Sequence, residues 1–367
     1  MSHHTFMARA IALAKQGLYT TDPNPRVGCV IVKDGQVVGE GFHRKAGEGH
    51  AEVNALAMAG DAAKGATAYV TLEPCSHFGR TPPCSDGLVK AGIRHVVCAM
   101  KDPNPQVSGQ GFAKLMTAGI DVTLGVMEEQ ARALNPGFIK RMETGMPFVR
   151  LKMASSLDGR TAMKSGESQW ITGSAARQDV QRLRARSSAI ITGIESIKLD
   201  DSSLTVRADE LGLDDTLASQ IVAKQPLRVV LDSQGLISSD AKILHQPGST
   251  LVAVRHGVQL HGNLETLALN HDDYGLDLVA LLKELSMRQC NEVLVETGAT
   301  LAGEFVRQGL VDEMVLYMAP CFMGSDARPL LNLPLSSMDD KQNLNILDSR
   351  MVGQDMRLTI GFAEKGN

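Results

Sequence analysis

The segment TAYVTLEPCSHFGRTPPC, residues 67–84, is the most informative part of the first half of the chain. Its apolar start is typical of a buried strand that ends just before Cys75, and Cys84 begins a helical pattern. Upstream, His50-Ala51-Glu52 begins a second helical pattern. A strand end that faces a helix start brings such side chains close to one another, so we expect one imidazole and two thiols to converge.

This donor set is typical of a catalytic zinc site. A helix N-terminus lowers the pKa of a thiol and favours the thiolate that binds metal. Three protein ligands, His50, Cys75 and Cys84, leave a fourth position open, as in catalytic rather than structural zinc sites. Water there can lose a proton near neutral pH, and Glu52 is the predicted proton carrier. The predicted reaction is the hydrolytic removal of an amino group from a ring carbon.

The order of these residues matches the zinc deaminase pattern, in which H-x-E is followed by P-C-x-x-C. Pro74 precedes Cys75 as that pattern requires, but eight residues instead of two separate Cys75 from Cys84. Either the site is broken, or an insertion lengthens the loop between two intact ligands. A chance His-x-Glu with two unrelated cysteines is the remaining alternative, and the ligand order and helix positions argue against it.

The rest of the first half alternates helix and strand patterns, which predicts an α/β sandwich. A helix at Thr5 to Gly17 precedes a β-hairpin with its turn at Lys33-Asp34-Gly35. The other predicted elements are helices at His50 to Gly60, Ser85 to Ala91 and Phe112 to Gly119, and strands at Thr67 to Leu72 and His95 to Met100; the last helix is followed by DVTLGV.

A connection rich in proline and glycine, NPGFIKRMETGMP at residues 135–147, separates this half from a second α/β half. We place the boundary near Gly145, which gives domains at 1–145 and 146–367. The second domain has helix patterns at 174–187 and 278–285 and strand patterns at 147–154, 189–193, 227–232, 250–254, 292–296 and 313–319. Residues 208–224 and 256–275 lack clear periodicity and are predicted as loops.

Composition narrows the class of protein. The 367 residues are 43% hydrophobic and 21% charged, as in a soluble globular protein of two domains. A net charge of −4 makes nucleic acid a poor partner, and neither a secretion signal nor an apolar run long enough to span a membrane is visible. We therefore expect a cytoplasmic protein with reduced cysteines. Four cysteines in apolar surroundings are predicted to be ordinary buried residues: Cys29, Cys98, Cys290 and Cys321.

With His50-Ala51-Glu52, the segment from Pro74 to Cys84, and a second α/β domain that begins LKMASSLDGRTA, the chain resembles the bifunctional pyrimidine deaminase and reductase of riboflavin biosynthesis, the RibD type. The resemblance covers essentially the whole chain, and the long spacing between the cysteines is a feature of that family. It implies a cytidine-deaminase-like αβα sandwich followed by a dihydrofolate-reductase-like α/β domain. It also implies Zn²⁺ and NADPH as cofactors, and a homodimer.

The resemblance implies a phosphorylated pyrimidine as substrate of the first domain, 2,5-diamino-6-(5-phosphoribosylamino)pyrimidin-4-one, which loses its 2-amino group. The positions that match the family's deaminase pocket are Asn24, His43, His77, Arg80, Asp102 and Asn104. From the residues alone, each D-P-N-P stretch is only a turn. His77 could equally be a fourth ligand or a solvent-exposed loop residue.

The second domain lacks the usual dinucleotide-binding fingerprint. The stretches Gly39-Glu40-Gly41 and Gly109-Gln110-Gly111 lie in the first domain and do not continue to the third glycine. The strand EVLVETG instead leads into residues 298–304, where small residues begin a helix and could admit a phosphate, or could serve close packing only. By resemblance, the cofactor is contacted by Ala154, Trp170, Ser196, Asp200, Gly298, Ala299, Thr300, Leu301, Ala302, Gly303 and Glu304, and the ribosyl group that is reduced to ribityl is contacted by Lys152, Ser168, Arg184, Leu204, Arg207 and Glu296.

Two arginines of this set, Arg184 and Arg207, suit phosphate binding because a guanidinium offers paired donors, although an arginine in QRLRARS is more often solvated. Trp170 could equally be a core residue. Two other classes of protein compete with the bifunctional enzyme. A nucleic-acid base-editing deaminase would need basic and aromatic groups, and aromatic residues are only 4% of the chain. A module with structural zinc would need a fourth ligand, for which only His77 is a candidate.

Overall fold

The computed structural model describes residues 2–76, 82–260 and 262–362. The chain divides into two compact units, Met1–Met146 and Pro147–Asn367. Among the described residues, every helix is too short or too polar to span a membrane.

A mixed sheet forms the middle of the first unit. Among its described residues, five strands pair in the order β2-β1-β3-β4-β5; β1 is antiparallel to both neighbours, and β3, β4 and β5 are parallel. The strands are β1 Gly28–Lys33, β2 Gln36–Phe42, β3 Thr67–Val70, β4 His95–Cys98 and β5 Asp121–Leu124, and the helices are α1 His3–Ala14, α2 Ala51–Ala59, α3 Cys84–Lys90, α4 Gln110–Thr117, α5 Glu128–Arg132 and α6 Pro136–Thr144.

Helices cover both faces of this sheet because successive strand residues point to opposite sides. Along β1, Cys29 and Ile31 pack with residues of α2, α3 and α4, whereas Val30 and Val32 pack with residues of α1, α5 and α6. In β2, a Cβ at Gly39 would lie 2.3 Å from the carbonyl oxygen of Ala55, so glycine lets α2 approach the sheet. The αβα sandwich expected from the sequence is confirmed, and α2 carries His50 at its N-terminus.

The second unit contains a larger sheet. Its described residues form nine strands in the order β11-β10-β9-β8-β14-β6-β15-β18-β17, parallel from β11 to β15, with β18 and β17 antiparallel. The sheet strands are β6 Phe148–Ser156, β8 Ala189–Gly193, β9 Leu227–Leu231, β10 Thr250–Arg255, β11 Glu265–Leu269, β14 Glu292–Glu296, β15 Glu313–Ala319, β17 Leu344–Val352 and β18 Asp355–Phe362. Short pairs are formed by β7 Arg160–Ala162 with β16 Arg328–Pro329, and by β12 His271–Asp272 with β13 Gly275–Leu276.

Helices connect the parallel strands of this unit: α7 Ser174–Ala185, α8 Ile194–Asp200, α9 Asp215–Val222, α10 Leu278–Met287 and α11 Ala299–Arg307. One buried cluster joins Leu183 of α7 to Ile190, Val230 and Leu294 of the central strands. The carboxyl ends of parallel strands lie at one edge of a sheet, which is where α/β folds bind ligands. This edge holds the start of α8, directly after β8, and the start of α11, shortly after β14.

Several expectations from the sequence are wrong. Residues 208–224 contain α9, whose N-terminus Asp214 caps by accepting a hydrogen bond from the Leu217 amide, and residues 256–275 contain β11 at the sheet edge. The segment expected as a connection, residues 135–147, is mostly α6, with Pro136 at its first turn and Gly145 (φ 70°) after its last. Cys321 is exposed rather than buried.

Candidate active sites

The three predicted metal ligands converge in the first unit. His50 is the residue before α2, Cys75 follows β3, and Cys84 is the first residue of α3. One donor atom from each lies within 4.8 Å of the others. The Nδ1 atom of His50 is 3.2 Å from the Cys84 sulfur and 3.7 Å from the Cys75 sulfur. An imidazole and two sulfurs at this spacing fit a zinc ion, because each can reach a common point.

The two thiols have opposite electrostatic environments. Hydrogen bonds from the Cys84 thiol, His50 and the Cys84 backbone N–H lower the pKa of Cys75 to about 4, against the effect of burial. The hydrogen bond to Cys75 and burial raise the pKa of Cys84. The pair therefore shares one negative charge between two close sulfurs, and a bound divalent cation would offset their repulsion if both ionised. The donor set therefore fits a zinc ion.

Glu52 lies in the first turn of α2 and is 3% exposed. Burial and the nearby Cys75 thiolate raise the pKa of its carboxyl to about 7. It is not part of the three-residue donor group. A carboxyl that titrates near neutral pH can both accept and return a proton, as a general base and acid must.

His43 and Asn24, two expected pocket residues, contact each other beside the metal ligands. The His43 ring is 2% exposed and lies 5.2 Å from the His50 ring, edge to face. Its Nδ1 atom is 3.2 Å from the Gly49 carbonyl, which only accepts, so the proton of a neutral ring is on Nδ1. Its Nε2 atom then accepts from the Asn24 amide at 3.1 Å. Burial lowers the pKa of His43, which favours this neutral form.

Asp102 and Asn104 follow β4, and Asp102 lines a small recess together with Cys75 and Glu73. His77 and Arg80, the other two expected pocket residues, lie outside the described residues. Sequence reasoning missed Glu73, whose carboxylate accepts hydrogen bonds from three backbone amides between residues 102 and 111. The available signal was a charged residue at the end of an apolar strand, directly before Pro74-Cys75.

In the second unit, Glu296 ends β14 and pairs in register with Lys152 of β6. The Arg184 guanidinium binds Glu296 through two hydrogen bonds, at 2.6 and 2.9 Å, and donates a third to the Thr205 carbonyl. Burial lowers the pKa of Lys152, although Glu296 opposes this effect. Burial would raise the pKa of Glu296, but the neighbouring Arg184 guanidinium outweighs this effect and lowers the pKa. The structure thus places three expected substrate residues, Lys152, Arg184 and Glu296, in one charged group.

The expected cofactor residues lie on several elements. Ala154 is on β6, while Ser196 and Asp200 are on α8. The Ser168 hydroxyl donates to Asp200 at 3.2 Å. Trp170 is 70% exposed under the Arg177 guanidinium, so the core alternative for Trp170 is wrong.

Leu204 and Arg207 complete the expected substrate set. Leu204 is buried and has a φ of 49°. The Arg207 guanidinium binds Glu210 at 2.7 Å, and its backbone N–H donates to the Gln181 side chain. Both arginines of the expected set therefore have carboxylate partners in this structure.

The turn at residues 298–304 begins α11, with Gly298 before its first residue. Nothing lies within 4 Å of a Cβ built at Gly298, so this face of the turn is open. Gly303 differs, because its Cβ would lie 2.2 Å from the Asn332 carbonyl oxygen, and glycine there serves packing. A Cβ at Gly193, before α8, would contact Leu301 of α11, so two helix starts lie side by side. Adjacent helix N-termini fit the phosphates of a dinucleotide.

Two family models match the chain. The model of the RibD C-terminal domain covers residues 147–358. The model of the cytidine and deoxycytidylate deaminase zinc-binding region covers residues 1–100.

Relatives and solved structures are similar over nearly the whole length. The chain is 52% identical to riboflavin biosynthesis protein RibD of Escherichia coli, covering 98% of this chain and 99% of that protein. The structure of Acinetobacter baumannii RibD is 49% identical with a TM-score of 0.91, covering 99% of each chain. A diaminohydroxyphosphoribosylaminopyrimidine deaminase/5-amino-6-(5-phosphoribosylamino)uracil reductase from Thermotoga maritima is 34% identical with a TM-score of 0.86, covering 98% of this chain and 99% of that one.

Proposed function

The chain belongs to the RibD family of riboflavin biosynthesis proteins, and from that premise we propose which residues perform each of its two reactions. It is a bifunctional enzyme, a zinc-dependent deaminase and an NADPH-dependent reductase. We assign the deaminase to residues 1–145 and the reductase to residues 146–367. The proposed first substrate is 2,5-diamino-6-(5-phosphoribosylamino)pyrimidin-4-one, and the deaminated uracil product is the second.

In the deaminase site, His50, Cys75 and Cys84 hold the metal. Bound zinc supplies a Lewis acid that lets water lose a proton near neutral pH. Glu52 accepts the first proton of the attacking water and passes it to the ring nitrogen. It then accepts the second proton, from the hydroxyl now on the ring carbon, and delivers it to the amino group, which leaves as ammonia while a carbonyl forms. The observation that best supports this role is the position of Glu52: its carboxyl is buried beside the three donor atoms, and Glu52 is not one of the three donor residues.

The neighbouring side chains bind the pyrimidine in this proposal. Both ring nitrogens of neutral His43 have partners inside the protein, so His43 lines the pocket beside His50 and orients Asn24, whose side-chain amide is proposed to bind the pyrimidine. Asp102, in the loop after β4, lines the recess beside Cys75, and Asn104 of the same loop is proposed to bind the substrate with it. The same role is proposed for His77 and Arg80, on the family resemblance alone.

The reductase site is assigned to the carboxyl edge of the second sheet. NADPH supplies the hydride that converts the ribosyl group to ribityl. We propose that the amides at residues 298–304 and the start of α8 bind the cofactor phosphates, with Ala154, Trp170, Ser196 and Asp200 along the same edge. Lys152 and Glu296 bind the opened sugar, with Arg184 holding the Glu296 carboxylate in place; Ser168, Leu204 and Arg207 complete the pocket.

The test of the deaminase assignment is zinc content and ammonia release for wild type and Glu52→Gln. Both proteins should bind zinc, and only wild type should release ammonia, because the substitution removes a proton carrier and no ligand. Glu129→Gln, an exposed residue of α5, is the matched control and should behave as wild type. Normal turnover by Glu52→Gln would refute the mechanism. Ammonia release from single-stranded DNA would instead favour a base-editing enzyme.

The reductase assignment is tested separately with the deaminated uracil as substrate. NADPH oxidation should fall in Lys152→Met and persist in Lys283→Met, an exposed residue of α10. It should also persist in Cys75→Ser when that variant folds, since the zinc site serves the other reaction. Loss of NADPH oxidation in a folded Cys75→Ser protein would contradict independent sites.

We further propose a homodimer in the cytoplasm. The edge strand β17 exposes Ile346, Leu347 and Met351 by 66, 62 and 60%, and an exposed apolar edge strand is a site for pairing with a second copy. Light scattering after gel filtration should give twice the chain mass for wild type and a lower mass for Ile346→Lys. A monomeric wild type would refute the dimer, and cell fractionation tests the location.

A further inference from the structure

Glu73 is a buried carboxylate between β3 and the metal ligand Cys75, and neither reaction step uses it. Its side chain is 5% exposed. One oxygen accepts backbone hydrogen bonds from Asp102 at 3.1 Å and from Gly109 at 2.9 Å, and the other accepts from Gly111 at 2.9 Å. Three amides thus satisfy a charge that would otherwise be costly to bury.

These amides belong to the loop after β4 and to the start of α4. Gly109 is the residue before α4 and has a φ of 81°. The positive end of the helix dipole there favours a carboxylate. A Cβ at Gly111 would lie 2.1 Å from the Pro74 carbonyl oxygen, so glycine permits this contact between the two segments.

The loop anchored in this way carries Asp102 and Asn104. The backbone N–H of Asn104 donates to the Asp102 carboxylate at 2.8 Å, and the backbone N–H of Gln106 donates to the Asn104 side-chain oxygen at 3.1 Å. Local turns therefore set the shape of the loop, whereas Glu73 fixes the loop to the segment that carries Cys75. Without that carboxylate, Asp102 and Asn104 would no longer be held at a fixed position relative to the metal ligands.

Cys75 itself has other supports. Its carbonyl accepts from the Ser85 amide and hydroxyl at 3.1 and 3.0 Å, and its sulfur accepts from the Cys84 amide at 3.3 Å. The ligand should therefore keep its place when the Glu73 carboxylate is removed. Removal of the Glu73 carboxylate can therefore disturb the loop of residues 102–111 without disturbing metal binding.

We propose that Glu73 is a positioning residue of the deaminase, which holds the substrate loop 102–111 in register with the metal ligands. The proposal rests on the deaminase function assigned above. It gives Glu73 no contact with the reacting atoms. Its loss should weaken binding of the pyrimidine more than it slows the chemistry.

The experiment compares wild type, Glu73→Gln and the exposed control Glu129→Gln in the full-length zinc-loaded protein. Glutamine keeps the length but offers one acceptor oxygen to three amides and turns an N–H₂ group towards them. Zinc content, kcat and KM for ammonia release from the diaminopyrimidinone, and hydrogen exchange of residues 102–111 are measured. In Glu73→Gln we expect wild-type zinc content, exchange at least about tenfold faster, KM raised about tenfold or more, and kcat lowered less than about threefold.

The outcomes are distinguishable. An unchanged KM in zinc-loaded Glu73→Gln overturns the proposal, and loss of zinc also overturns it, because Glu73 would then act on the ligand. If Glu73→Gln does not fold, Glu73→Asp decides; its shorter carboxylate should raise KM with zinc retained, and a wild-type KM refutes the anchor. If wild type itself releases no ammonia, the proposed function fails, and the exchange comparison then tests the anchor alone, with unchanged exchange overturning it.

Discussion

The ion pair between Arg184 and Glu296 gives the sharpest test of the second site. Two parallel hydrogen bonds of 2.6 and 2.9 Å join the side chains, which are 14 and 9% exposed. An exposed ion pair contributes less than about 1 kcal/mol, but removal of one partner of a buried pair costs about 3–5 kcal/mol, because the other charge stays buried. Because both side chains have low exposure, this ion pair counts as a buried pair.

Arg184→Met should therefore destabilise the second unit by about 3 kcal/mol, the lower end of this range, because Lys152 remains beside Glu296. For a unit of this size, the midpoint of thermal unfolding should fall by on the order of 10 °C. The triple variant Arg184→Met/Glu296→Met/Lys152→Met should be more stable than Arg184→Met alone, since no charge of this buried group is left. Trp170, the only tryptophan of the chain, lies in this unit, so its fluorescence follows the unfolding of this unit and not of the other.

The matched control is Arg288→Met, which removes an arginine that is 32% exposed and paired with Glu265 and Glu284. Its effect should stay below about 1 kcal/mol. A loss of less than about 1 kcal/mol in Arg184→Met as well would refute the reasoning. In that case the guanidinium would be available to the substrate, as the family resemblance implied.

Three further predictions concern pH, packing and metal. Burial alone would raise the pKa of Glu296, but Arg184 outweighs this effect and lowers it. The stabilisation of the folded state by ionised Glu296 is therefore present above the ordinary glutamate pKa of about 4.3 and is lost as the pH falls through the lower pKa of the folded state. In urea unfolding, the free energy of unfolding should fall more steeply with acid in wild type than in Glu296→Gln. Gly28→Ala should destabilise the first unit by about 1–3 kcal/mol, because the new Cβ would lie 2.0 Å from the Ala10 carbonyl oxygen. Gly87→Ala, inside α3, makes only an ordinary van der Waals contact and should stabilise the unit by up to about 1 kcal/mol, because alanine favours a helix more than glycine does. A calorimetric change of the same sign for both variants would contradict this packing. Zinc removal by a chelator should abolish ammonia release and lower the melting temperature of the first unit while NADPH oxidation continues, and a parallel loss of both activities would argue against separate sites.

The metal site could be predicted because its information is local. His50 and Glu52 are two residues apart, and each ligand adjoins the start or end of a strand or helix that periodicity reveals. The turn at Asp34-Gly35 and strands such as Ala189–Gly193 were predictable for the same reason, since short-range patterns suffice.

Segments with weak periodicity were not predictable. The helix α9 is stabilised by a side-chain cap at Asp214 and by burial of Ala218 and Ile221, and β11 pairs with β10 at the sheet edge. The exposed strand β17 has no alternating pattern of burial, and its pairing with β18 defines it. In each case tertiary contacts outweighed weak local preference.

The α/β class, the candidate zinc donors and the proposed proton carrier could be predicted from the sequence, because these predictions depend on residue type and on spacing along a helix or strand. The sequence did not predict that Glu73 accepts hydrogen bonds from backbone amides of residues 102–111, or that Arg184 binds Glu296; these contacts depend on the folded arrangement. The partners in these contacts are 29 to 112 positions apart, and strand order brings them together. Periodicity reports which face of an element is buried, but not which neighbour lies against it.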